Sequence, residues 1–231
     1  MRRIQLAVVL VVLLVVGVVL ILVNAPAPGN QGGNLLENGG FQTGDLSGWQ
    51  NSDITPAVES GLVDNATYAA RFETTANGAA LSQCTLHAQE CATLNSSSIS
   101  QSVSGLALSA NTTLSLALYP SFKSPSIFQV TLSFTAPSQS SPEATVYYVV
   151  AASPDQCDAY GKLLTNSTQN SQAFCLQEQQ GQWNVIARKI SADLPAAPGQ
   201  SALSGSVLTV SLSFAGANST DVAYVDSVFV G

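Results

Sequence analysis

The chain contains one histidine, His87, in 231 residues. Acid–base catalysis needs a positioned donor and acceptor, most often a histidine or a matched pair of carboxylates. His87 lies between Cys84 and Cys91 in a segment that reads as a surface loop. No serine sits in a Gly-x-Ser-x-Gly elbow, and no histidine is placed to complete a triad. The fourteen Asp and Glu are dispersed, so spacing marks no carboxylate pair of the glycosidase kind. Of seven Lys and Arg, two (Arg2 and Arg3) precede an N-terminal apolar run. The rest are too few and too scattered to neutralise and deprotonate a uronate. The expectation is a chain without catalytic activity.

What remains is chemistry for binding. A hydroxyl-rich ligand is held by rings that stack on the apolar faces of its sugars, while Asn, Gln and Asp reach the hydroxyls. The candidate rings are Trp183, Tyr147, Tyr148, Tyr119 and Phe122. Each has burial in a core as its competing role. Tyr147 and Tyr148 are neighbours on a predicted strand, so they point to opposite faces, and one can be core while the other is exposed. Trp183 follows Gly181-Gln182 at a strand start, where a side chain can stand at the rim of a face. The expected partner is a glycan or polysaccharide.

Charged residues are only 9% of the chain and the formal net charge is −7. No basic patch is available for a phosphate backbone, so nucleic acid is excluded as a partner. Four cysteines, Cys84, Cys91, Cys157 and Cys175, allow three pairings. The local pairing, Cys84–Cys91 and Cys157–Cys175, is expected because each pair brackets one loop-like segment. Zinc is the competing reading, but the spacing holds no C-x-x-C unit and there is a single His. Disulfides imply an oxidising compartment. Asn65, Asn95, Asn111, Asn166 and Asn218 each open an N-x-[ST] sequon, which marks candidate glycosylation sites in an extracellular protein.

These residues need elements to position them. Residues 4–23 are apolar except for Gln5 and Gly17, and twenty helical residues span about 30 Å, the thickness of a bilayer core. With Arg2-Arg3 ahead of it, residues 1–24 read as a single-pass signal anchor with the domain outside the cell membrane. A cleaved signal peptide is the alternative. Residues 25–33 form a Pro- and Gly-containing linker. From residue 34 to residue 231 the period is two. Leu114, Leu116 and Leu118 alternate with small residues. So do Phe128, Val130, Leu132 and Phe134, and then Leu208, Val210, Leu212 and Phe214. Residues 145–151 and 224–230 are apolar on both sides, as in central or covered strands. Residues 54–60, 68–72, 99–103 and 183–190 add further strands. No amphipathic helix is predicted after residue 33. Nine or ten strands give an all-β fold, a two-sheet antiparallel sandwich.

The start of that domain, NLLENGGFQTGDLSGW (residues 34–49), resembles the opening of carbohydrate-binding modules of families four and nine, in the galactose-binding-like jelly-roll superfamily. Asn38-Gly39-Gly40 would supply the positive φ of a tight turn, and Gln42 stands where those families carry Glu. NATYAARF (65–72), ISQSV (99–103) and YVDSVFV (224–230) are similar to later segments of the same families. The likeness fades over residues 136–181, which look like an addition. The resemblance implies a jelly roll, a structural Trp49, and a structural calcium near Gln42 and Asp226 with carbonyls from residues 65–67. Asp155 and Asp158, beside Cys157, read as a solvated loop, with a second cation site as the alternative. Two functions follow: a membrane-tethered extracellular carbohydrate-binding module, or a surface or filament subunit that self-assembles through its sandwich.

Overall fold

The computed structural model describes residues 33–64, 66–73, 96–123, 125–196, 203–216 and 220–231. The expected signal anchor and most of the linker lie outside the described residues. So do Cys84, His87, Cys91 and the sequons at Asn65, Asn95 and Asn218. Among the described residues no helix is long and apolar enough to cross a membrane.

Among the described residues, eleven strands and two helices follow in order: β1 (Gln50–Asp53), β2 (Ala57–Glu59), β3 (Ala69–Glu73), β4 (Ser97–Val103), β5 (Thr113–Ser121), β6 (Ile127–Thr135), β7 (Ala144–Ala151), α1 (Pro154–Ser167), β8 (Ser171–Leu176), β9 (Asn184–Lys189), α2 (Ile190–Asp193), β10 (Val207–Ala215) and β11 (Val222–Val230). They form a six-stranded sheet in the order β1-β4-β10-β6-β7-β8 and a five-stranded sheet in the order β2-β3-β11-β5-β9. The inward residues of both sheets meet in one core. β6 gives Phe128, Val130, Leu132 and Phe134, β10 gives Leu208, Val210, Leu212 and Phe214, and β5 gives Leu114, Leu116 and Leu118. The period-two pattern is therefore realised as two apolar faces turned to each other. The fold is the expected β-sandwich of jelly-roll kind.

The opening stretch ties the start of the domain to its end. Leu35 N donates to Val230 O at 2.8 Å, and Val228 N donates to Gly39 O at 2.8 Å. Positive φ falls on Asn38 (46°) and Phe41 (54°), not on the two glycines between them. Gly39 is needed for a different reason: a Cβ there would stand 2.1 Å from Val228 O. The absent side chain lets the turn lie against the last strand. Trp49 is buried, stacks on Phe41 with ring centroids 5.9 Å apart, and donates Nε1–H to Asn38 O at 3.3 Å, as its structural role requires.

Two expectations are corrected between residues 144 and 176. The sandwich is not wholly antiparallel, because β7 and β8 pair in parallel. Parallel neighbours need a crossover, and α1 supplies it. Its start carries the usual signals: Ser153 caps by accepting Gln156 N–H, Pro154 opens the first turn and Asp155 follows. The buried face of α1 is Cys157 and Gly161, with Tyr160 and Leu164 half-buried beside them, the i, i+3, i+4, i+7 spacing of a helix. Gly161 sits so close to β8 that a Cβ would meet Ala173 Cβ at 3.3 Å. Asp155 and Asp158 are exposed residues of this helix, not of a loop. The Cys157–Cys175 disulfide is formed as expected and fastens α1 to β8.

Candidate functional site

The outward face of the five-stranded sheet brings together three rings. On β11, Ala223 and Val225 point into the core and Tyr224 points out; on β5, Leu118 and Pro120 are buried and Tyr119 is half-buried. Tyr224 lies in register with Tyr119 on one side and with Arg71 of β3 on the other. Trp183 immediately precedes β9 and packs edge-on to Tyr119, with centroids 5.7 Å apart and planes at 62°. Tyr119 and Tyr224 are 6.1 Å apart at 82°. Four adjacent positions, Arg71, Tyr224, Tyr119 and Trp183, so form a row that spans roughly 15 Å at normal strand spacing. Trp183 Nε1 is buried and has no hydrogen-bond partner.

The polar end of the row is charged. Arg71 pairs with Glu73 at 2.6 Å and with Glu59 at 3.6 Å, all three side chains being partly exposed. The guanidinium is held between two carboxylates beside a ring, an arrangement of fixed donors and acceptors next to an apolar surface. Such a face can hold a ring-shaped hydroxylated ligand. The loop before Trp183 is fixed by Asn184. Its side chain accepts from Gln179 N at 3.1 Å and donates to Gln179 O and Gln182 O, each at 2.9 Å.

Of the candidate rings, Trp183 and Tyr119 come together here. Tyr147 and Tyr148 do not. Tyr148 is fully buried in the main core, with its hydroxyl donated to Asp193 Oδ2 at 2.9 Å. Tyr147 points to the other face, as adjacency requires, but α1 covers that face and the ring is 8% exposed. Its hydroxyl meets Thr168 Oγ1 at 3.0 Å. Neither ring offers a face to a ligand: Tyr148 is core, and Tyr147 lies under a helix that the sequence reading did not include. Phe122 is also core, 5.4 Å from Phe214. Tyr224 and Arg71 were missed as site residues. The alternation of Tyr224 with Ala223 and Val225 was the signal that placed it outward.

Asp226 follows Tyr224 by two residues. It is fully buried; Oδ1 accepts from Ser227 Oγ at 3.0 Å, and Oδ2 has no partner. Burial raises its carboxyl above the ordinary range, opposed by hydrogen bonds from Ser227 and from the Asp64 backbone N–H. The strand bulges between Asp226 and Phe229, with Ser227 at φ 55°. Gln42 is exposed and its amide donates to Gly40 O at 2.7 Å, so the structure does not direct it to Asp226. Among the described residues no group of three or more His, Cys, Asp or Glu is clustered for a metal. The donor set around Asp226, an orphaned carboxylate oxygen with a second carboxylate nearby at Asp64, is of the hard-oxygen type that suits calcium. Asn111 and Asn166 are both exposed, the first in a turn and the second in the last turn of α1.

No protein-family model and no curated protein matches the chain. Solved structures do. The carbohydrate-binding module CBM28, specific for non-crystalline cellulose, matches with TM-score 0.51 and 12% identity over 88% of this chain and 96% of its own. The enzymatically active domain of tailspike protein 4 from bacteriophage CBA120 matches with TM-score 0.51 and 9% identity over 86% of this chain. The chain spans 21% of the tailspike's length. A family 61 module in complex with β-1,4-galactotriose has TM-score 0.46 and 14% identity, over 87% of this chain and 99% of that one. At these identities the likeness is one of fold: the sandwich is shared with the CBM28 module and with the tailspike domain.

Proposed function

We propose that the chain is a non-catalytic carbohydrate-binding module that holds a glycan on the outward face of its five-stranded sheet. The observation that carries this reading is the row Arg71–Tyr224–Tyr119–Trp183, in which Tyr119 contacts a ring on each side, beside an arginine fixed by two carboxylates. The fold shared with carbohydrate-binding modules supports it, and the opening motif favours families four and nine among them. The Arg2-Arg3 pair and the bilayer-length apolar run support a tether in the cell membrane with the domain outside. The Cys157–Cys175 bridge fits that oxidising side. Exposed sequon residues Asn111 and Asn166 are available there for glycosylation. Calcium, if bound, would be held by Asp226 with Asp64, and would supply charge to an oxygen that is otherwise buried without a partner. Gln42 would have to leave Gly40 to join them.

A second reading, a surface subunit that self-assembles through its sandwich, rests on Val185. This residue is 61% exposed on β9, an edge strand. A panel of soluble polysaccharides and oligosaccharides, presented to the intact chain with calcium and then with chelator, separates the two. Saturable binding to a glycan by the monomer supports the module. Absence of binding across the panel, together with concentration-dependent association, replaces it with the subunit.

A further inference from the structure

β7 and β8 are parallel strands joined by α1, and outside their carboxyl ends lies a crevice of about 400 Å³. This is where a strand–helix–strand unit leaves room for a ligand. Ala151, Pro154, Leu176 and the Cys157–Cys175 bridge form its walls, and residues 177–179 form its rim. The bridge, together with the parallel pairing, holds the walls in place without a ligand. The first turn of α1 is no anion site: Ser153 already takes an amide there and Asp155 stands in that turn.

The chemistry comes from Glu178. It is half-buried at the rim, and burial alone raises its carboxyl above the ordinary range. No hydrogen bond or ion pair among the described residues compensates that burial. A carboxylate drawn out of water without a partner is relieved by a donor or cation brought by a ligand. No Lys, Arg or His lines the crevice, so it has nothing to offer a phosphate, sulfate or carboxylate. Its other surfaces are methyl groups, a leucine, a proline ring and sulfur, with the amides of Gln177 and Gln179 beside Glu178.

We propose that this crevice is a separate binding site for a small ligand that carries a primary ammonium group on a compact body, with Glu178 as its counter-ion. The site is independent of the aromatic row, and neither stands or falls with the other. The ammonium can come from an amino sugar or from a simple alkylamine, and the test tells these apart.

The experiment is an NMR titration of the intact chain with glucosamine, N-acetylglucosamine, glucose and n-butylamine at low ionic strength. Glucosamine is expected to shift resonances of residues 151–157 and 175–179. N-acetylglucosamine and glucose, which have the ring without the charge, should bind at least tenfold more weakly. Butylamine binding as well as glucosamine places the recognition in the ammonium alone; weaker butylamine binding shows that the ring contributes. Glu178→Gln, nearly isosteric, should weaken glucosamine about tenfold, as loss of a partly desolvated ion pair does, with an unchanged melting temperature. Ala152→Phe, placed at the exposed rim, should block the crevice. Trp183→Ala should leave glucosamine binding intact. The proposal is overturned if glucosamine does not bind, if N-acetylglucosamine binds equally well, if Glu178→Gln changes nothing, or if Trp183→Ala abolishes the binding.

Discussion

Arg188 grips Asp193 at two points, Nε to Oδ2 and Nη2 to Oδ1, each at 2.8 Å. Asp193 also accepts the Tyr148 hydroxyl at 2.9 Å, and the guanidinium lies over Phe174 at 4.9 Å and over Tyr148 at 5.7 Å. Arg188 belongs to β9 in one sheet, and Tyr148 and Phe174 belong to β7 and β8 in the other. The cluster therefore fastens the two sheets at one side with polar and cation–π contacts where the apolar core runs out. The hydrogen bond to Asp193 raises the Arg188 pKa further, and burial pushes the Tyr148 hydroxyl well up, so it donates as a neutral group.

Asp193→Ala should be among the more damaging polar substitutions in the chain. It leaves a tyrosine hydroxyl buried without a partner and a partly buried guanidinium without its counter-charge. The Asp193 side chain is 8% exposed and that of Arg188 is 31% exposed, so the pair is screened on one side only. The expected loss is about 2–4 kcal/mol in urea unfolding. Arg188→Lys keeps the charge, loses the fork and should cost about 1 kcal/mol. A loss under about 0.5 kcal/mol for Asp193→Ala would show that the cluster does not join the sheets.

Asp226 predicts a pH dependence of opposite sign to that of most carboxylates. Its folded pKa is raised by burial above the ordinary 3.8. The folded state then holds that proton more tightly than the unfolded state does. Stability from this group is fully present below its unfolded pKa and is lost as pH rises through the raised value. In chelator, the difference between the intact chain and Asp226→Asn should shift in favour of the variant as pH climbs from about 4 to 7. Calcium should reverse that order at pH 7, raising the melting temperature of the intact chain and leaving the variant where it was. A calcium-induced gain of equal size in the variant would remove Asp226 from any metal site.

The sandwich was legible because its strongest signal is local and periodic. Phe128 to Phe134 and Leu208 to Phe214 alternate without a break, and in the structure they lie side by side on the inward face of paired strands. α1 was not legible for a specific reason. Its inward face is built from Cys157, Tyr160, Gly161 and Leu164, of which only leucine is strongly apolar, and two of its positions invite reading as a loop. The cue that outweighed composition was Ser153-Pro154-Asp155, a helix start. Missing that helix misplaced Tyr147: it does point away from the face of Tyr148, as adjacency requires, but that second face is covered. The candidate site was half legible: Trp183 and Tyr119 were named from type and position, but the contact of Tyr119 with Tyr224 depends on a strand register set between residues more than a hundred apart. The glycine reading failed differently, because close approach of Gly39 to Val228 O is a tertiary fact with no local trace.

The bridge between Cys157 and Cys175 closes a separation of 18 residues. Replacing both by Ser should cost about 2–4 kcal/mol on the chain-entropy account, provided α1 stays packed on β7. Tyr147 and Val149 lie beneath that helix, so a larger loss, accompanied by binding of an apolar dye, would mean that the bridge rather than the packing keeps α1 in place. Binding at the aromatic row, on the other sheet, should be unaffected in the folded fraction. A parallel loss of glycan binding without loss of stability would contradict the separation of the two faces.

The aromatic row makes the sharpest claim. A ring that serves a ligand at a surface can be removed with little effect on folding, whereas a core ring cannot. Trp183, Tyr119 and Tyr224 are half-buried and touch one another in sequence, with Tyr119 at the centre. Trp183→Ala and Tyr224→Ala should each weaken glycan binding about tenfold or more, as truncation of an interface anchor does. Tyr119→Ala should weaken it most, because it removes the ring on which both others lean. Melting temperatures should move by only a few degrees, consistent with about 1 kcal/mol. Trp49→Ala is the control for a core ring: buried and stacked on Phe41, it should cost about 3–5 kcal/mol. Tyr148→Phe is the control for the excluded candidate, losing its bond to Asp193 and some stability but no affinity. Arg71→Ala should lower affinity without unfolding, since its partners Glu59 and Glu73 are exposed enough to be solvated. If the three ring variants bind glycan as the intact chain does, the ligand lies elsewhere on the sandwich. If Trp183→Ala unfolds the domain as Trp49→Ala does, the row is a buttress for the β8–β9 loop and not a binding face.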